Sequence, residues 1–557
     1  MSTRILVVGG AAGGAGAAVK ARRVNEQAEI VMFERTADVS WANCGLPYYV
    51  GGVISDRSEL FVTPPSRLAS RFAIDVRTGH DVTEIDRGKK TVTVRELATG
   101  KVMEERYDRL ILATGSEAID LGVPGGSSPK VFNLLSIAEA DRLRSFVEET
   151  GPARAVVIGG GFIGLEGAEA LLERGLEVTL VEAKDQLLPT FDPEMVSGVS
   201  RELARKGVWV LVSERVARID ESEKQLTVHL QSGTAVECDL VVAAVGVRPR
   251  LDLARRAGLQ VGPTGGLVVN SRMQTSAPDI YAAGDICEVN NRITGKPTRV
   301  PLAGPANKQA RVAGANAAGG NLHYHGTLGA MVVKVYDVVV AKAGLTEREA
   351  RDERLAHFVS FTHSLHHAGY YPGPRPLTIK LIAEKPTGRI LGAEVTGQGG
   401  VDKRIDVLST AMWARMTVFD LEDLDLSYAP PYSSAKDPVN IAGFTAANIL
   451  RGEVEAISPQ EAAKALREGD VQLLDVRTQR EAEAGVIEGA TLTPVDQLRD
   501  HLEELNPFKD IIAYCAAGYR SYIASRILTQ RGFENVRHIS GGYEAWKMAQ
   551  EGSDADD

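Results

Sequence analysis

The chain has 557 residues, 44% of them hydrophobic and 24% charged, an ordinary globular composition at a length that calls for several hydrophobic cores. A net charge of -10 argues against nucleic-acid or anionic-membrane binding as the main task, since both need a basic surface, and leaves local basic patches for phosphates. Only four cysteines, Cys44, Cys238, Cys287 and Cys515, with no C-x-x-C pair among them, argue against a secreted disulfide framework and for a reducing, cytoplasmic compartment.

The chain opens on Met1-Ser-Thr-Arg and enters the apolar run Ile5-Leu-Val-Val at once, which does not read as a signal peptide. That strand meets Gly9-Gly-Ala-Ala12-Gly-Gly14. A helix carrying Lys20, Arg22 and Arg23 follows, then a strand Glu29-Ile-Val-Met-Phe-Glu34 that ends in an acid. The same order returns later: Ala155-Val-Val-Ile, then Gly159-Gly-Gly161-Phe-Ile-Gly164, a helix, and Glu177-Val-Thr-Leu-Val-Glu182. Two mononucleotide-binding βαβ units are the economical reading, each turning a strand sharply into a helix whose N-terminal N–H groups face a pyrophosphate. The terminal acids Glu34 and Glu182 suit ribose hydroxyls, and Glu182 favours NADH over NADPH because a carboxylate repels a 2′-phosphate. Lys184 and Arg174 leave room for NADPH. The second loop fits G-x-G-x-x-G in full, whereas the first has Ala11 in its middle slot.

Between the two units lies Val39-Ser40-Trp-Ala-Asn43-Cys44-Gly-Leu-Pro, where a cysteine before a proline turn is placed for reactivity as a thiolate. Cys238 and Cys287 sit in no motif and are expected to be core or incidental. From Gly326 the β-branched runs Val332 to Val340 and Leu377 to Ile382, with a helical stretch Asp402 to Met416, predict an α+β domain. The longest apolar stretch, Met331 to Ala343, is interrupted by Lys334 and Asp337, so no membrane span is expected. A polar stretch predicts a linker at 449–459. The last segment holds Leu474-Asp475-Val-Arg477, Gly485-Val-Ile-Glu-Gly-Ala490, Cys515-Ala-Ala-Gly518-Tyr-Arg520-Ser521 and Gly541-Gly-Tyr-Glu-Ala-Trp546. Cys515 follows the strand Ile511-Ile-Ala-Tyr514 and precedes a helix, a loop of N–H donors in which Arg520 adds positive charge. Such a nest suits a thiolate or a persulfide anion.

Double nucleotide folds with Leu112-Ala113-Thr114-Gly115 and Ile280-Tyr-Ala-Ala-Gly-Asp285 resemble the flavoprotein disulfide reductases over about Arg4 to Asn448, and the last segment resembles the rhodanese fold. The resemblance implies an α/β chain of four parts: an FAD-binding domain at 1–120 and 246–325, an NAD(P)H-binding domain at 121–245, an α+β dimerisation domain at 326–448 and, after the linker, a rhodanese-like domain at 460–552. The glutathione reductase type has C-x-x-x-x-C, but here Tyr49 stands five positions after Cys44, so the resemblance narrows to the single-cysteine branch of coenzyme A disulfide reductases, NADH oxidases, peroxidases and persulfide reductases. Ala12 replaces the histidine of the peroxidases. Ser40-Trp-Ala-Asn43-Cys44 is similar to the S-F-A-N-C of the coenzyme A-linked branch.

The resemblance implies FAD at Gly9, Ala12, Gly14, Glu34, Arg35, Asn43, Val82, Ala113, Thr114, Gly115, Asp285 and Ala303, and NADH at Gly159, Gly161, Ile163, Gly164, Glu182 and Gly246. It implies coenzyme A at Lys20, Arg22, Arg23, Ser40, Asn43, Asn307 and Lys436, where Lys20 and Asn307 replace the branch's glutamine and histidine. Tyr370 and Tyr428 would reach the partner's cysteine across a homodimer. The expected activity is NADH-dependent reduction of persulfide, polysulfide or coenzyme A disulfide sulfur at Cys44, with Cys515 and Arg520 handling sulfane sulfur. The alternatives are an NADH oxidase cycling Cys44 through a sulfenic acid and a redox sensor with a docking rhodanese module. No metal is expected.

Overall fold

Alternation of apolar strands with amphipathic helices gives parallel sheets covered on both faces. The computed structural model describes residues 2–553, which fall into two bodies, 2–181 with Glu214–Thr327, and Glu182–Ser213 with 328–553. In the first body a parallel sheet orders Ile280–Ala282, Arg109–Leu112, Arg4–Val8, Glu29–Glu34 and Ile74–Thr78. A second parallel sheet orders Glu177–Val181, Arg154–Ile158, Leu240–Ala243 and Val131–Phe132.

Both expected strand-to-helix turns are present and use the same device. Gly9 has φ +100°, and a Cβ there would lie 2.2 Å from the Ala113 carbonyl oxygen; Gly159 has φ +109°, with a Cβ 2.4 Å from the Ala244 oxygen. A side chain is therefore excluded twice over, by conformation and by contact. At Gly161 a Cβ would meet nothing within 4 Å, which explains why the other loop tolerates Ala11 in that slot.

In the second body an antiparallel sheet orders Met331–Val335, Val338–Gly344, Ile390–Gly397, Pro376–Glu384 and His357–Leu365. The run Val332 to Val340 is thus a hairpin, turning at Tyr336, which has φ +49°. The helix expected from Asp402 spans Val401–Trp413. A parallel sheet orders Glu455–Ile457, Val536–Ile539, Asp510–Tyr514, Val471–Asp475 and Thr491–Leu492.

The stretch before the last segment has secondary structure of its own. The stretch expected as a linker, 449–459, holds the end of the helix Pro438–Leu450, the edge strand Glu455–Ile457 and the Ser458 cap of the next helix. Polar composition concealed the strand because only Ile457 of its three residues is buried. The terminal segment is docked as well: Phe361 donates its backbone N–H to Ser540 Oγ at 2.8 Å, and Met195, Phe361 and Ala545 form a small core. The segment Glu182–Ser213 lies in the second body. Its anchor is Lys380, 1% exposed, whose ammonium meets Asp192 at 2.7 Å, Glu194 at 2.5 Å and Glu347 at 2.9 Å. Burial works against the charge on Lys380, but these carboxylates hold its pKa well up. A buried charge persists only with such pairing. Glu394, fully buried, is pushed up by burial and by Asp192, and it accepts the Asp192 backbone N–H at 2.9 Å.

Candidate functional site

Cys44 lies in a single turn, Asn43–Gly45, between the buried Ser40 and the helix Leu46–Gly51 with proline in its first turn. The thiol is exposed. The chain does not by itself favour its anion: partial burial pushes the Cys44 pKa up, the Glu166 carboxylate pushes it further, its own backbone N–H opposes, and Asp285 adds to the rise.

Glu166 was not singled out from the sequence, although it stands two residues beyond the last glycine of G-x-G-x-x-G, on the helix Phe162–Glu173. Burial and then Glu169 raise it to about 7, against a hydrogen bond with Tyr48. A group that titrates at neutrality beside a reactive thiol is a functional signal.

Glu34 accepts the Gly10 N–H at 2.7 Å and the Thr36 N–H and hydroxyl at 2.8 Å. Arg35 lies close enough to help pull down the pKa of Arg250, which burial lowers first. Val82 and Ala113 are buried, Gly115 has a positive φ, and Thr114 donates its hydroxyl to the Arg250 carbonyl at 2.8 Å. Asp285 accepts the Ser116 hydroxyl at 3.1 Å; burial raises its pKa, while Ser116 and Arg299 draw it down. Ala303 opens the helix Ala303–Ala317. Arg299 has Nε and Nη1 buried with no hydrogen-bond partner among the described residues. Two buried donors on a half-buried cation are costly without an acceptor, so this part of the first body fits a bound acceptor-rich cofactor.

At the second loop Gly159, Gly161, Ile163 and Gly164 form the turn into the helix Phe162–Glu173, and Gly246 has φ +115°. Glu182 is buried and accepts the Lys184 N–H at 2.8 Å.

The expected cation set divides. Arg22 is only 7% exposed, and its guanidinium donates to the carbonyls of Glu26 at 2.6 Å, Phe72 at 2.8 Å and Ala73 at 2.9 Å. It is a structural clamp, and the assignment of Arg22 to coenzyme A phosphates is withdrawn because burial and three backbone carbonyls already engage it. Lys20 is pulled down by partial burial, then by Arg311 and Arg23, a mutual repulsion that an anion would relieve. Arg311 was missed because it comes from the distant helix Ala303–Ala317. Asn307 is exposed and donates its amide to the Ala303 carbonyl at 2.9 Å.

In the second body Lys436 is exposed, and the hydroxyls of Tyr370 and Tyr428 are 2.6 Å apart. That bond raises the Tyr370 pKa. The structure therefore brings together the two phenols that the sequence separated by 58 residues.

Cys515 follows the strand Asp510–Tyr514 of the terminal sheet and is 1% exposed; its sulfur accepts the Gly518 N–H at 3.1 Å and the Ser521 hydroxyl at 3.6 Å. Arg520 forks onto Glu481 at 2.6 and 2.8 Å. That pairing, with Thr478, holds Glu481 down to about 2. Arg520 thus brings a partly neutralised charge. Glu481 was overlooked, although Thr478-x-x-Glu481 is a legible capping box. Cys238 and Cys287 are both buried, with burial pushing Cys238 up to about 12 and Cys287 up as well, so neither offers a thiolate.

Paired nucleotide folds, a solitary exposed cysteine and a second cysteine in an N–H loop define an oxidoreductase of sulfur substrates. The chain belongs to the pyridine nucleotide-disulphide oxidoreductases, whose family model matches residues 3–310, with that family's dimerisation domain at 331–438 and a rhodanese-like domain at 458–549. It is 34% identical over 444 residues to the coenzyme A disulfide reductase of Staphylococcus epidermidis, covering 80% of this chain and 99% of that one. Among solved structures it resembles reduced Bacillus anthracis CoADR-RHD, at 42% identity and TM-score 0.96 over 98% of both chains. It also resembles a NAD-dependent persulfide reductase from A. fulgidus, at 39% identity and TM-score 0.90 over 98% of this chain and 100% of that one. A water-forming NADH oxidase from Lactobacillus brevis is 28% identical, with TM-score 0.77 over 81% of this chain and 100% of that one. Among the described residues no helix is long and apolar enough to cross a membrane.

Proposed function

We propose that the protein is an FAD-containing, NADH-dependent reductase of persulfide, polysulfide or coenzyme A disulfide sulfur. Cys44 is the sulfur-bonding residue and Cys515 a sulfane-sulfur acceptor. The observation that carries this reading is the coexistence, in one chain, of a lone exposed Cys44 beside a nucleotide fold and a Cys515 set among N–H donors. Relatives that share the rhodanese-like segment match 98% of the chain, whereas the oxidase neighbour covers 81%. That difference favours sulfur over oxygen as the acceptor.

FAD belongs at Gly9, Ala12, Gly14, Glu34, Arg35, Asn43, Val82, Ala113, Thr114, Gly115, Asp285 and Ala303, with Arg299 added for its unused donors. When bound, it supplies the two-electron reduction of a sulfur–sulfur bond with NADH as donor. The chain's own part is to hold NADH at Gly159, Gly161, Ile163, Gly164, Glu182 and Gly246, and to present Cys44. The Cys44 thiolate attacks the substrate's sulfur–sulfur bond and expels a thiolate, forming a mixed disulfide or persulfide. Coenzyme A phosphates are met by Lys20, Arg23 and Arg311, with Ser40, Asn43, Asn307 and Lys436 as further contacts. In the homodimer that the dimerisation domain serves, Tyr370 and Tyr428 donate to the departing sulfur anion. At the second site the Cys515 thiolate takes the outer sulfur of a persulfide or of thiosulfate, releasing a thiolate or sulfite.

The test is anaerobic. Purified protein with NADH and glutathione persulfide should release sulfide, carry FAD and prefer NADH to NADPH. Consumption of NADH only when oxygen is admitted would replace this reading with the oxidase.

A further inference from the structure

The loop cysteine has a buried polar chain behind it that runs from Ser521 of its motif to a histidine outside the motif. Ser521, on the helix Tyr519–Gln530, places Oγ 3.6 Å from Cys515 Sγ, 3.0 Å from the Gly518 carbonyl oxygen and 3.2 Å from His538 Nδ1. His538 comes from the strand Val536–Ile539, in register with Ala513 of the strand that leads into Cys515. It is 3% exposed, and its Nε2 has no hydrogen-bond partner among the described residues.

We propose that His538 is a positioning residue for Cys515, its Nδ1–H donating to Ser521 so that the Ser521 hydroxyl proton is free to bond the sulfur anion. The inference rests on Cys515 being the sulfur acceptor proposed above. Ser521 has one proton and three neighbours. A neutral imidazole also has one ring proton. Placing it on Nε2 would bury an N–H with no acceptor, a rarer and costlier arrangement than a bare ring nitrogen. On Nδ1 it forms a bond, and Nδ1 can then no longer take the serine proton. Burial alone pulls His538 down to about 4, so the ring is neutral wherever a thiolate is used. Once Cys515 is an anion, the single Ser521 proton is held on Sγ in preference to the Gly518 carbonyl and acts beside the Gly518 N–H, which donates at 3.1 Å.

The experiment uses the full-length flavoprotein and reads alkylation of Cys515 by iodoacetamide against pH, resolved by peptide mass spectrometry so that Cys44 is counted separately. His538→Leu and Ser521→Ala should each slow the reaction at pH 6 by about tenfold, as expected for a lost donor to a charged sulfur, with the high-pH plateau retained. The double variant should match Ser521→Ala alone, because His538 acts only through Ser521. A wild-type rate in His538→Leu, or a further loss in the double variant, overturns the proposal. Should the leucine variant fail to fold, His538→Asn, whose amide stands near the Nδ1 place, should keep the rate within about twofold while His538→Gln, whose amide stands near the Nε2 place, loses it. Equal rates in those two overturn it as well. Thiosulfate-to-cyanide sulfur transfer in the same wild-type preparation separates the two ideas, since its absence beside an intact alkylation pattern removes the sulfur-acceptor role and leaves the donor chain standing.

Discussion

Cys44 and Cys515 are both placed for sulfur chemistry, yet their surroundings differ in kind. Cys44 is exposed on a short turn, and the groups about it, Glu166 and Asp285, oppose its anion. Cys515 is buried and receives the Gly518 N–H and the Ser521 hydroxyl. The loop cysteine carries its own anion-binding donors, whereas the exposed cysteine depends on something the chain alone does not supply. A flavin and a second subunit's phenols are what the proposed function adds there. A site completed by cofactor and partner has no need of a self-sufficient thiolate, and a resting thiol is protected from stray oxidation.

The largest expected effect comes from removing either sulfur. Cys44→Ser should keep flavin absorbance and lose NADH-dependent turnover of coenzyme A disulfide by roughly a thousandfold or more, since serine cannot form the sulfur bond. Cys515→Ser should lose sulfur transfer from thiosulfate by a similar factor, while reduction through Cys44 continues. Stopped-flow and steady-state rates on both variants check this, and loss of both activities in one folded variant would end the contrast drawn here.

Next in size is Arg520→Lys, which keeps the charge but breaks the two-pronged pairing with Glu481. Sulfur transfer should fall about tenfold, measured by cyanide trapping. The pairing depresses Glu481 to about 2, so its stabilisation is present above the ordinary carboxylate range and is lost as pH falls towards 2. Thermal unfolding of the lysine variant between pH 3 and pH 7 should show a shallower acid-side loss.

The smallest effect sharpens the view of Cys44. Glu166→Gln should speed alkylation of Cys44 at pH 8 about threefold, with less gain at pH 6, where the wild-type carboxyl is already mostly protonated. Glu166 is raised to about 7 in the folded chain, so the stability it contributes is complete below its unfolded value and is lost as pH rises through 7. The glutamine variant should flatten that limb of the stability curve. An unchanged profile would mean that Glu166 does not govern the thiol.

The local devices were legible in the sequence because they are contiguous. The two glycine loops, the acids ending their second strands, the setting of Cys44 and the C-x-x-G-x-R-S loop each need a particular residue at a short, fixed spacing, and chain geometry does the rest. What tertiary structure decided is how distant charges meet. Arg22 looked like an exposed helical cation until three carbonyls, two of them some 50 residues away, closed on it. Arg299, Arg311, Glu166 and His538 stood in no motif for the sites they adjoin. The pairing of Lys380 with Asp192 spans 188 residues and fixes the segment Glu182–Ser213 within the second body. Periodicity reports which face of an element is apolar, but it carries no information on which polar groups from elsewhere will be buried against that face. That depends on packing, where an unpaired buried charge is too costly to leave standing and so selects its partner across the whole chain.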